Sequence, residues 1–367
     1  MRVLVVDDSA FMRHAVSQIL ASSQGIQVVG TARDGIQALD LMEELQPDVV
    51  TLDVEMPRLD GLATLERIMR RQPVPVIMLS SFTAEGSSTT MAALELGAVD
   101  FVAKPSGPLS RTLQDMGLEL ATKVRSAARA RVHARLIRTP PARASSATIT
   151  ASSQAFRRVL IIGSSTGGPK ALCELVPALP GDLDAAVVIV QHMPAGFTRS
   201  LSERLDAMSA LTIREAQTND RLMRGLGLVA PGGRHLLVGS DGTVELSSDP
   251  PVLGVRPSVN VTMRSLVRVY GGDCLGVILT GMGSDGTVGC QEIRAAGGRV
   301  IAEAESTCVV FGMPRSVIES GAADRVVPLH DMAAQVVQTL ADSSWPQHQR
   351  DCAPPRQRLA GPGREAR

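Results

Sequence analysis

The sequence lacks the features that would direct it to a membrane or to nucleic acid. Its 37 basic and 37 acidic side chains cancel to a formal net charge of +0, so no overall field attracts a polyanion. No segment approaches the roughly 20 consecutive apolar residues of a membrane-spanning helix, and the first apolar run is cut by Asp7 and Asp8. We therefore expect a cytoplasmic protein with no membrane insertion and no nucleic-acid partner.

Cysteine is also scarce, and its pattern excludes two kinds of stabilisation. The five cysteines are odd in number and no two have CxxC spacing, which argues against a disulfide framework and against a zinc site. We expect reduced, small core residues. The five are Cys173, Cys274, Cys290, Cys308 and Cys352.

The chain is long enough for two domains, since its 367 residues exceed the size at which one core usually keeps growing. Over residues 1–122, strand-length apolar runs alternate five times with helical patterns, beginning VLVVDD then SAFMRHAVSQIL. Continuous Val, Ile and Leu runs are typical of strands buried on both faces. The pattern predicts a doubly wound (βα)5 domain with a parallel sheet.

A basic segment separates this domain from a second one. Eight arginines and no acidic residue lie from Arg125 through Arg158, which predicts a solvated linker over residues 123–157; a docking surface for a partner is the alternative. Residues 158–342 predict a second parallel-sheet α/β domain, and their Gly/Pro-rich middle predicts an antiparallel hairpin insertion. Residues 343–367, rich in Pro, Gln, Arg and Gly, predict a disordered tail.

The predicted strands of the first domain end in polar residues. Asp7 and Asp8 follow the first strand, Asp53 ends the third, Ser80 ends the fourth and Lys104 follows the fifth. Ligands of an open parallel sheet bind at this edge. Each group alone has an ordinary explanation as a cap, turn or surface residue, but together they suit Mg²⁺ and transfer of a phosphoryl group to Asp53.

The motifs VDDS, LDVEMPRLDG, LSS and FVAKP of this half resemble the receiver domain of two-component response regulators. The resemblance implies phosphorylation of Asp53 by a histidine kinase, with Mg²⁺ held by Asp8 and Asp53 and with Asp7 nearby. It implies that Ser80 and Lys104 contact the phosphoryl oxygens. It also marks Phe101 as an aromatic switch residue.

The second domain begins with VLIIGSSTGGP, in which GSSTG matches the G-x-S-x-G pattern of a nucleophilic serine on a strand-to-helix turn. Ser165 then precedes a helix whose first turn contains Pro169. A phosphate- or dinucleotide-binding turn is the alternative, although the glycine spacing differs from G-x-G-x-x-G and the next strand ends in Gln191-His192 instead of an acid.

A serine nucleophile needs a base, and the base needs a group that orients it. His192 directly follows the next strand, and Asp285 lies in the loop after the strand CLGVIL, so all three fall on one edge of a parallel sheet. His192 could instead satisfy a loop carbonyl, and Asp285 could cap a helix. His235, after a hairpin-like turn, is a weaker candidate base.

The motifs GSSTGGP, VQHMPAGFT, APGGRH, LTGMGSDG and FGMP resemble the catalytic domain of the chemotaxis protein-glutamate methylesterases. The resemblance implies a triad of Ser165, His192 and Asp285, with the backbone amide of Met282 as an oxyanion donor. Asn260 stands where we expect an acidic residue in many relatives; this departure bears on local substrate contacts and leaves the implied triad untouched.

The implied reaction is hydrolysis of glutamate methyl esters on a chemoreceptor, without a cofactor, and deamidation of receptor glutamines by the same route. The partners are then a methylated chemoreceptor and a chemotaxis-type histidine kinase. Joining the two halves suggests that the unphosphorylated receiver covers the catalytic edge and that phosphorylation of Asp53 weakens this contact.

Overall fold

A computed structural model of the chain describes residues 1–81, 83–104, 109–130 and 156–345. Most of the predicted linker, the predicted tail beyond residue 345 and Cys352 lie outside the described residues. The described part of the chain contains no helix that is both long and apolar enough to cross a bilayer.

Strands and helices alternate through the amino-terminal domain: β1 (Arg2–Val6), α1 (Ala10–Ala21), β2 (Gln27–Ala32), α2 (Gly35–Leu45), β3 (Val49–Asp53), α3 (Gly61–Arg71), β4 (Val76–Ser80), α4 (Ala84–Leu96), β5 (Asp100–Ala103) and α5 (Leu109–Ala127). The strands are parallel in the order β2-β1-β3-β4-β5. One buried cluster lies between the sheet and α1 and α5, and another between the sheet and α2, α3 and α4. The predicted doubly wound domain is confirmed.

The second domain is built in the same way. Its elements are β6 (Arg158–Ser164), α6 (Gly168–Leu175), β7 (Ala185–Gln191), α7 (Phe197–Met208), β8 (Thr212–Glu215), β9 (Leu226–Val229), β10 (His235–Val238), β11 (Val244–Ser247), α8 (Val259–Tyr270), β12 (Cys274–Ile278), α9 (Thr287–Ala295), β13 (Arg299–Glu303), α10 (Met313–Glu319), β14 (Arg325–Val327) and α11 (Leu329–Ala341). Seven of these strands form one parallel sheet in the order β14-β13-β12-β6-β7-β9-β8.

The predicted antiparallel insertion is present as the pair β10-β11. The Gly/Pro-rich middle for which hairpins were predicted is GLGLVAPGGRHLLVGSDGTVEL, and its first residues instead contribute β9 to the parallel sheet. Every residue of β9 is buried. A strand that is apolar along its whole length suits a position covered on both faces better than a half-exposed hairpin.

The carboxyl-terminal end of the described chain is anchored beyond the predicted start of the tail at residue 343. Trp345 is buried, and its indole N–H donates to the carbonyls of Gly272 and Gly297. Its ring stacks on the buried Arg158, whose guanidinium pairs with Asp273. A buried guanidinium needs such partners, which explains why the chain stays packed as far as Trp345. The domain boundaries drawn from the sequence stay predictions.

The described cysteines are free thiols: Cys274, Cys290 and Cys308 are buried, and Cys173 is half-buried. Burial raises the pKa of the Cys173 thiol to about 12, so it is uncharged at neutral pH. These thiols behave as small core groups, as the sequence predicted.

Candidate active site

Ser165 lies on a tight turn between β6 and α6. Its backbone N–H donates to the carbonyl of Thr280 at 3.0 Å, and Gly168 N–H donates to the carbonyl of Ser165 at 2.7 Å. Gly167 has φ +78, and a Cβ there would come within 2.6 Å of the Val309 side chain. Glycine is therefore required both by the left-handed backbone and by the close approach. The strand-turn-helix context that the motif predicted is present.

The pairing of β6 with β7 delivers His192 beside this turn. Ser164 is in register with Gln191, and the N–H of His192 donates to the carbonyl of Ser164 at 3.1 Å. The Gln191 side-chain amide donates to the carbonyl of Ser165 at 2.9 Å and also to that of His192. The residues that follow the two strands are thus held next to each other at the carboxyl edge of the sheet.

Asp285, in the loop between β12 and α9, lies against the amino terminus of α8 and accepts four hydrogen bonds from described residues. Oδ1 accepts from the Ser258 hydroxyl at 2.9 Å and the Asn260 N–H at 3.1 Å. Oδ2 accepts from the Val259 N–H at 2.6 Å and lies 2.8 Å from His192 Nε2. Burial opposes the charge, but His192 and these N–H groups outweigh it and lower the pKa of Asp285 below its ordinary value. Asp285 is a carboxylate at neutral pH.

The His192–Asp285 pair fixes which imidazole nitrogen can act as a base. Because the carboxylate only accepts, Nε2 carries the hydrogen and Nδ1 has the free lone pair. Among the described residues, the Ser165 hydroxyl has no hydrogen-bond partner. Hydrogen bonds between a nucleophile and its base commonly form or tighten only when substrate is bound.

The loop after β12 packs against the serine. A Cβ on Gly281 would lie 2.8 Å from the Ser165 Cβ and 2.5 Å from the Met313 sulfur, so only glycine fits. The N–H of Gly281 donates to Val310, whereas in the described part of the chain the N–H of Met282 has no acceptor. The Met282 N–H, one residue from the contact between Gly281 and Ser165, is therefore available to donate to an oxyanion.

Glu303, at the end of β13, was not singled out from the sequence, but its side chain supports this loop. Its carboxyl group is fully buried and accepts from the N–H of Thr280 at 2.7 Å and from the Thr307 hydroxyl at 3.0 Å. Burial raises its pKa. Thr280 in turn accepts from Ser165 and donates through its hydroxyl to Thr166. No motif pointed to Glu303, because it ends a strand that contributes nothing directly to the triad.

The other two candidates from the sequence have supporting positions. His235 is buried, and both ring nitrogens are hydrogen-bonded to backbone groups, of Ser258 and Pro250. It is therefore not available as a base. The Asn260 side-chain oxygen accepts from the N–H groups of Gly286 and Gly289, so it caps α9, which has no capping side chain of its own.

The receiver-like domain has its own acidic site at the edge of its sheet. Asp7, Asp8 and Asp53 present carboxylate oxygens within 4.8 Å of one another, a hard-oxygen set that fits Mg²⁺. Lys104 Nζ lies 2.9 Å from Asp7 and 2.7 Å from Asp53. Burial raises the pKa of Asp53 to about 6 although Lys104 opposes the shift, and the two carboxylates raise the pKa of Lys104 against its burial.

Ser80 and Phe101 lie on the two strands next to this site, β4 and β5, and both are buried. The Ser80 hydroxyl is buried, lies near the carbonyl oxygens of Ser81 and Gly86, and accepts from Thr90 at 2.7 Å. Phe101 is buried against Phe197 of α7, with ring centroids 4.4 Å apart. The predicted switch aromatic therefore contacts the second domain directly.

Among the described residues, two polar contacts join the first domain to the edge that carries Ser165. Thr166, the residue after the serine, donates its hydroxyl to Asp100 of β5 at 2.5 Å. The Ser126 hydroxyl of α5 lies 2.8 Å from the Met282 sulfur. The first domain thus touches both the turn that carries Ser165 and the loop that carries Met282.

Comparison with known protein families agrees with this architecture. The response regulator receiver domain matches residues 3–114, and the CheB methylesterase family matches residues 160–336. The fold and these matches define a response regulator whose output domain is a hydrolase.

The relatives extend the match over nearly the whole chain. A protein-glutamate methylesterase/protein-glutamine glutaminase of Symbiobacterium thermophilum is 51% identical over 355 residues, covering 93% of this chain and 97% of the relative. One from Geobacillus kaustophilus is 48% identical, covering 93% and 99%. The chain belongs to the protein-glutamate methylesterase/protein-glutamine glutaminase family. The predictions of family, fold class and enzyme activity are confirmed.

Solved structures of the separate domains of Thermotoga maritima CheB are also similar. The methylesterase catalytic domain is 43% identical with a TM-score of 0.48, covering 51% of this chain and 99% of that one. The response regulator domain is 49% identical with a TM-score of 0.33, covering 35% and 96%.

Proposed function

We propose that Ser165, His192 and Asp285 form the catalytic triad with which this enzyme demethylates glutamate methyl esters, and deamidates glutamines, on chemoreceptors. The observation that carries the assignment is the buried His192–Asp285 pair, 2.8 Å between Nε2 and Oδ2, at the edge where the turn of Ser165 is held. Family membership supports the substrate class.

In the proposed reaction, Ser165 Oγ attacks the ester carbonyl while His192 Nδ1 takes its proton. The imidazolium is stabilised by the Asp285 carboxylate, which stays ionised. His192 then returns the proton to the departing methoxide, which leaves as methanol. Water attacks the acyl-enzyme by the same route and gives glutamate; with a glutamine substrate the leaving group is ammonia. The residues named supply every proton transfer, and we propose no cofactor for hydrolysis.

The tetrahedral intermediate carries an oxyanion that we assign to the N–H of Met282. The free amide and the contact between Gly281 and Ser165 support this assignment. Amide donors fixed before the reaction stabilise the charge without reorganisation, and one such donor contributes on the order of a hundredfold in rate.

In the receiver, we propose Asp53 as the phosphoryl acceptor, with a histidine kinase as donor. Asp7, Asp8 and Asp53 would hold Mg²⁺, which supplies positive charge to the transferred phosphoryl oxygens. Lys104 already contacts two of these carboxylates and would pair with a phosphoryl oxygen. Ser80 would have to turn from its present carbonyl partners to reach the same group. The cytoplasmic location stays a prediction.

Regulation follows from the contacts between the domains. In the unphosphorylated chain, Asp100 holds Thr166 and Ser126 lies against Met282, so the receiver restricts the nucleophile turn and the oxyanion loop. The aspartyl phosphate carries about two negative charges in place of the single charge of the Asp53 carboxylate. We propose that the change is passed through Phe101, which packs on Phe197, and that it releases the receiver from the catalytic edge.

Replacing Asp53 with asparagine should remove the response to a phosphodonor while leaving the unphosphorylated rate intact. The amide is isosteric but cannot accept the phosphoryl group. The measurement is methanol release from methylated receptor by the full chain, with Mg²⁺ and with or without a small-molecule phosphodonor. The matched control is Asp40→Asn on the exposed face of α2, which should keep full stimulation. Undiminished stimulation of the Asp53 variant would show that another group is the acceptor.

Replacing Arg204 with glutamine should raise the unphosphorylated rate by up to about fivefold. Arg204 of α7 forms a two-pronged ion pair with Glu95 of α4 across the domain contact, at 2.5 and 2.6 Å. An exposed pair contributes at most about 1 kcal/mol, and this sets the size of the effect. The measurement is the basal rate of methanol release at low salt.

Added salt should reproduce part of this activation in the wild type. Arg264→Gln, which breaks a similar pair with Glu292 within the second domain, is the control and should leave the basal rate unchanged. The proposal that this ion pair holds the receiver closed would be contradicted if Arg204→Gln left the basal rate unchanged. It would also be contradicted if Arg264→Gln raised the basal rate equally.

A further inference from the structure

His235 begins β10 and lies behind the proposed triad. Its ring is buried, with Nδ1 3.2 Å from the backbone N–H of Ser258 and Nε2 3.2 Å from the carbonyl of Pro250. It therefore joins the two ends of the segment that leads from β11 into α8. The same segment is tied to the turn before β10 by the N–H of Gly233, which donates to the carbonyl of Arg256.

These two contacts define the protonation of the ring. The Ser258 N–H can only donate, so Nδ1 must be an acceptor, and the Pro250 carbonyl can only accept, so Nε2 carries the hydrogen. A neutral imidazole satisfies both contacts in a single tautomer. An ammonium, a carboxylate or an apolar side chain satisfies at most one of them.

The residue that His235 holds is the one that organises the surroundings of Asp285. Ser258 is the N-cap of α8, and its hydroxyl donates to Asp285 Oδ1 at 2.9 Å. The next two backbone N–H groups, of Val259 and Asn260, donate to the same carboxylate. A shift of Ser258 would therefore move three of the four donors to Asp285 at once.

We propose that His235 is a positioning residue of the hydrolytic reaction. Its neutral ring fixes the Ser258 backbone, and with it the start of α8, so that Asp285 is held in the orientation that fixes the tautomer of His192. The proposal rests on the triad proposed above. His235 contacts neither substrate nor the reacting atoms, and it acts through Ser258.

Two substitutions separate the two contacts of the ring. His235→Asn keeps an acceptor at the Nδ1 position, while His235→Gln keeps a donor at the Nε2 position. Ser258 is fully buried, so losing its acceptor leaves an N–H without a partner, whereas Pro250 is exposed and water can replace the lost donor. We expect the asparagine variant to retain most of the activity and the glutamine variant to lose it.

The expected loss for His235→Gln is about 10- to 100-fold in kcat for methanol release, because small misplacements of a catalytic group cost this much. KM for methylated receptor should stay within about twofold, since the triad acts on the chemical step and not on binding. His330→Gln, on an exposed histidine of α11, is the matched control and should change neither constant. Thermal unfolding and phosphodonor labelling of Asp53 establish that each variant is folded.

Three outcomes would overturn the proposal. The asparagine and glutamine variants could lose activity equally, the loss could fall on KM, or His235→Gln could keep the wild-type kcat. If Asp285→Asn is inactive in the same assay, any of these outcomes rejects the proposed role of His235 and leaves the triad standing. If Asp285→Asn is fully active, the triad itself is rejected.

A double variant tests the route through Ser258. Ser258→Ala removes the hydroxyl that donates to Asp285. If His235 acts through Ser258, the combined loss in kcat of Ser258→Ala and His235→Gln is smaller than the product of the single losses. A combined loss equal to the product would show that the two residues act independently and would overturn the proposal.

Discussion

Replacing Ser165 with alanine should lower kcat for methanol release from methylated receptor by on the order of 10⁴-fold or more, to the rate left by substrate binding and the oxyanion donor. The methyl side chain cannot form the acyl-enzyme. Ser164 is adjacent, but its hydroxyl is buried and donates to the Gln191 side chain at 2.6 Å. The assay measures the release of labelled methanol by the full chain in the presence of a phosphodonor.

The control for this substitution is Ser320→Ala on the exposed end of α10, which should leave the rate unchanged. Phosphorylation of Asp53 in the Ser165 variant should proceed as in the wild type, because the acidic site lies in the other domain. Normal methanol release by Ser165→Ala would mean that another group is the nucleophile.

Replacing Asp285 with asparagine should lower kcat by about 10³- to 10⁴-fold. Each oxygen of the carboxylate accepts from a backbone N–H as well as from a side chain, Oδ2 from Val259 and His192 and Oδ1 from Asn260 and Ser258. An amide NH₂ in either place faces a donor that cannot turn away. At the Oδ2 position it also drives the hydrogen of His192 onto Nδ1, which is the wrong tautomer for accepting the serine proton.

The matched control is Asp241→Asn in the turn between β10 and β11, where the exposed carboxylate accepts from the N–H and the hydroxyl of Thr243. It should leave kcat unchanged. The loss in the Asp285 variant should fall on kcat, with KM for methylated receptor little changed. If the kcat of the Asp285 variant stays within tenfold of the wild type, Asp285 does not set the tautomer of His192.

Much of both sites could be predicted from the sequence because they lie at the carboxyl edge of parallel sheets. Such an edge collects whatever follows each strand. Ser165 and His192 follow β6 and β7, which are paired in register, and Asp53 ends β3, which lies beside β1 with Asp7 after it. Knowing where the apolar runs end was therefore enough to place these side chains together.

The groups that support the triad could not be predicted in this way. Asp285 is oriented by the start of α8, and that start is fixed by His235 from a separate two-stranded sheet. These contacts depend on how a hairpin packs against a helix, which no periodicity encodes. The sequence offered His235 as a competing base, and only the two occupied ring nitrogens exclude that role.

Contacts between the domains were equally hidden. Asp100 is the first residue of β5 and looks like an ordinary strand end, yet it accepts from Thr166 beside the serine. Phe101 was singled out by resemblance, but its partner Phe197 belongs to the other domain. Both contacts depend on the relative placement of two separate sheets, on which strand and helix patterns carry no information.

The most direct test of the triad is to treat the full chain with a serine-directed acylating probe and to map the modified peptide by mass spectrometry. We predict one activity-linked adduct, on Ser165, whose formation is much slower in Asp285→Asn and faster with phosphodonor. An adduct on a different residue whose formation abolishes methanol release, with Ser165 unmodified, would contradict the assignment of the nucleophile.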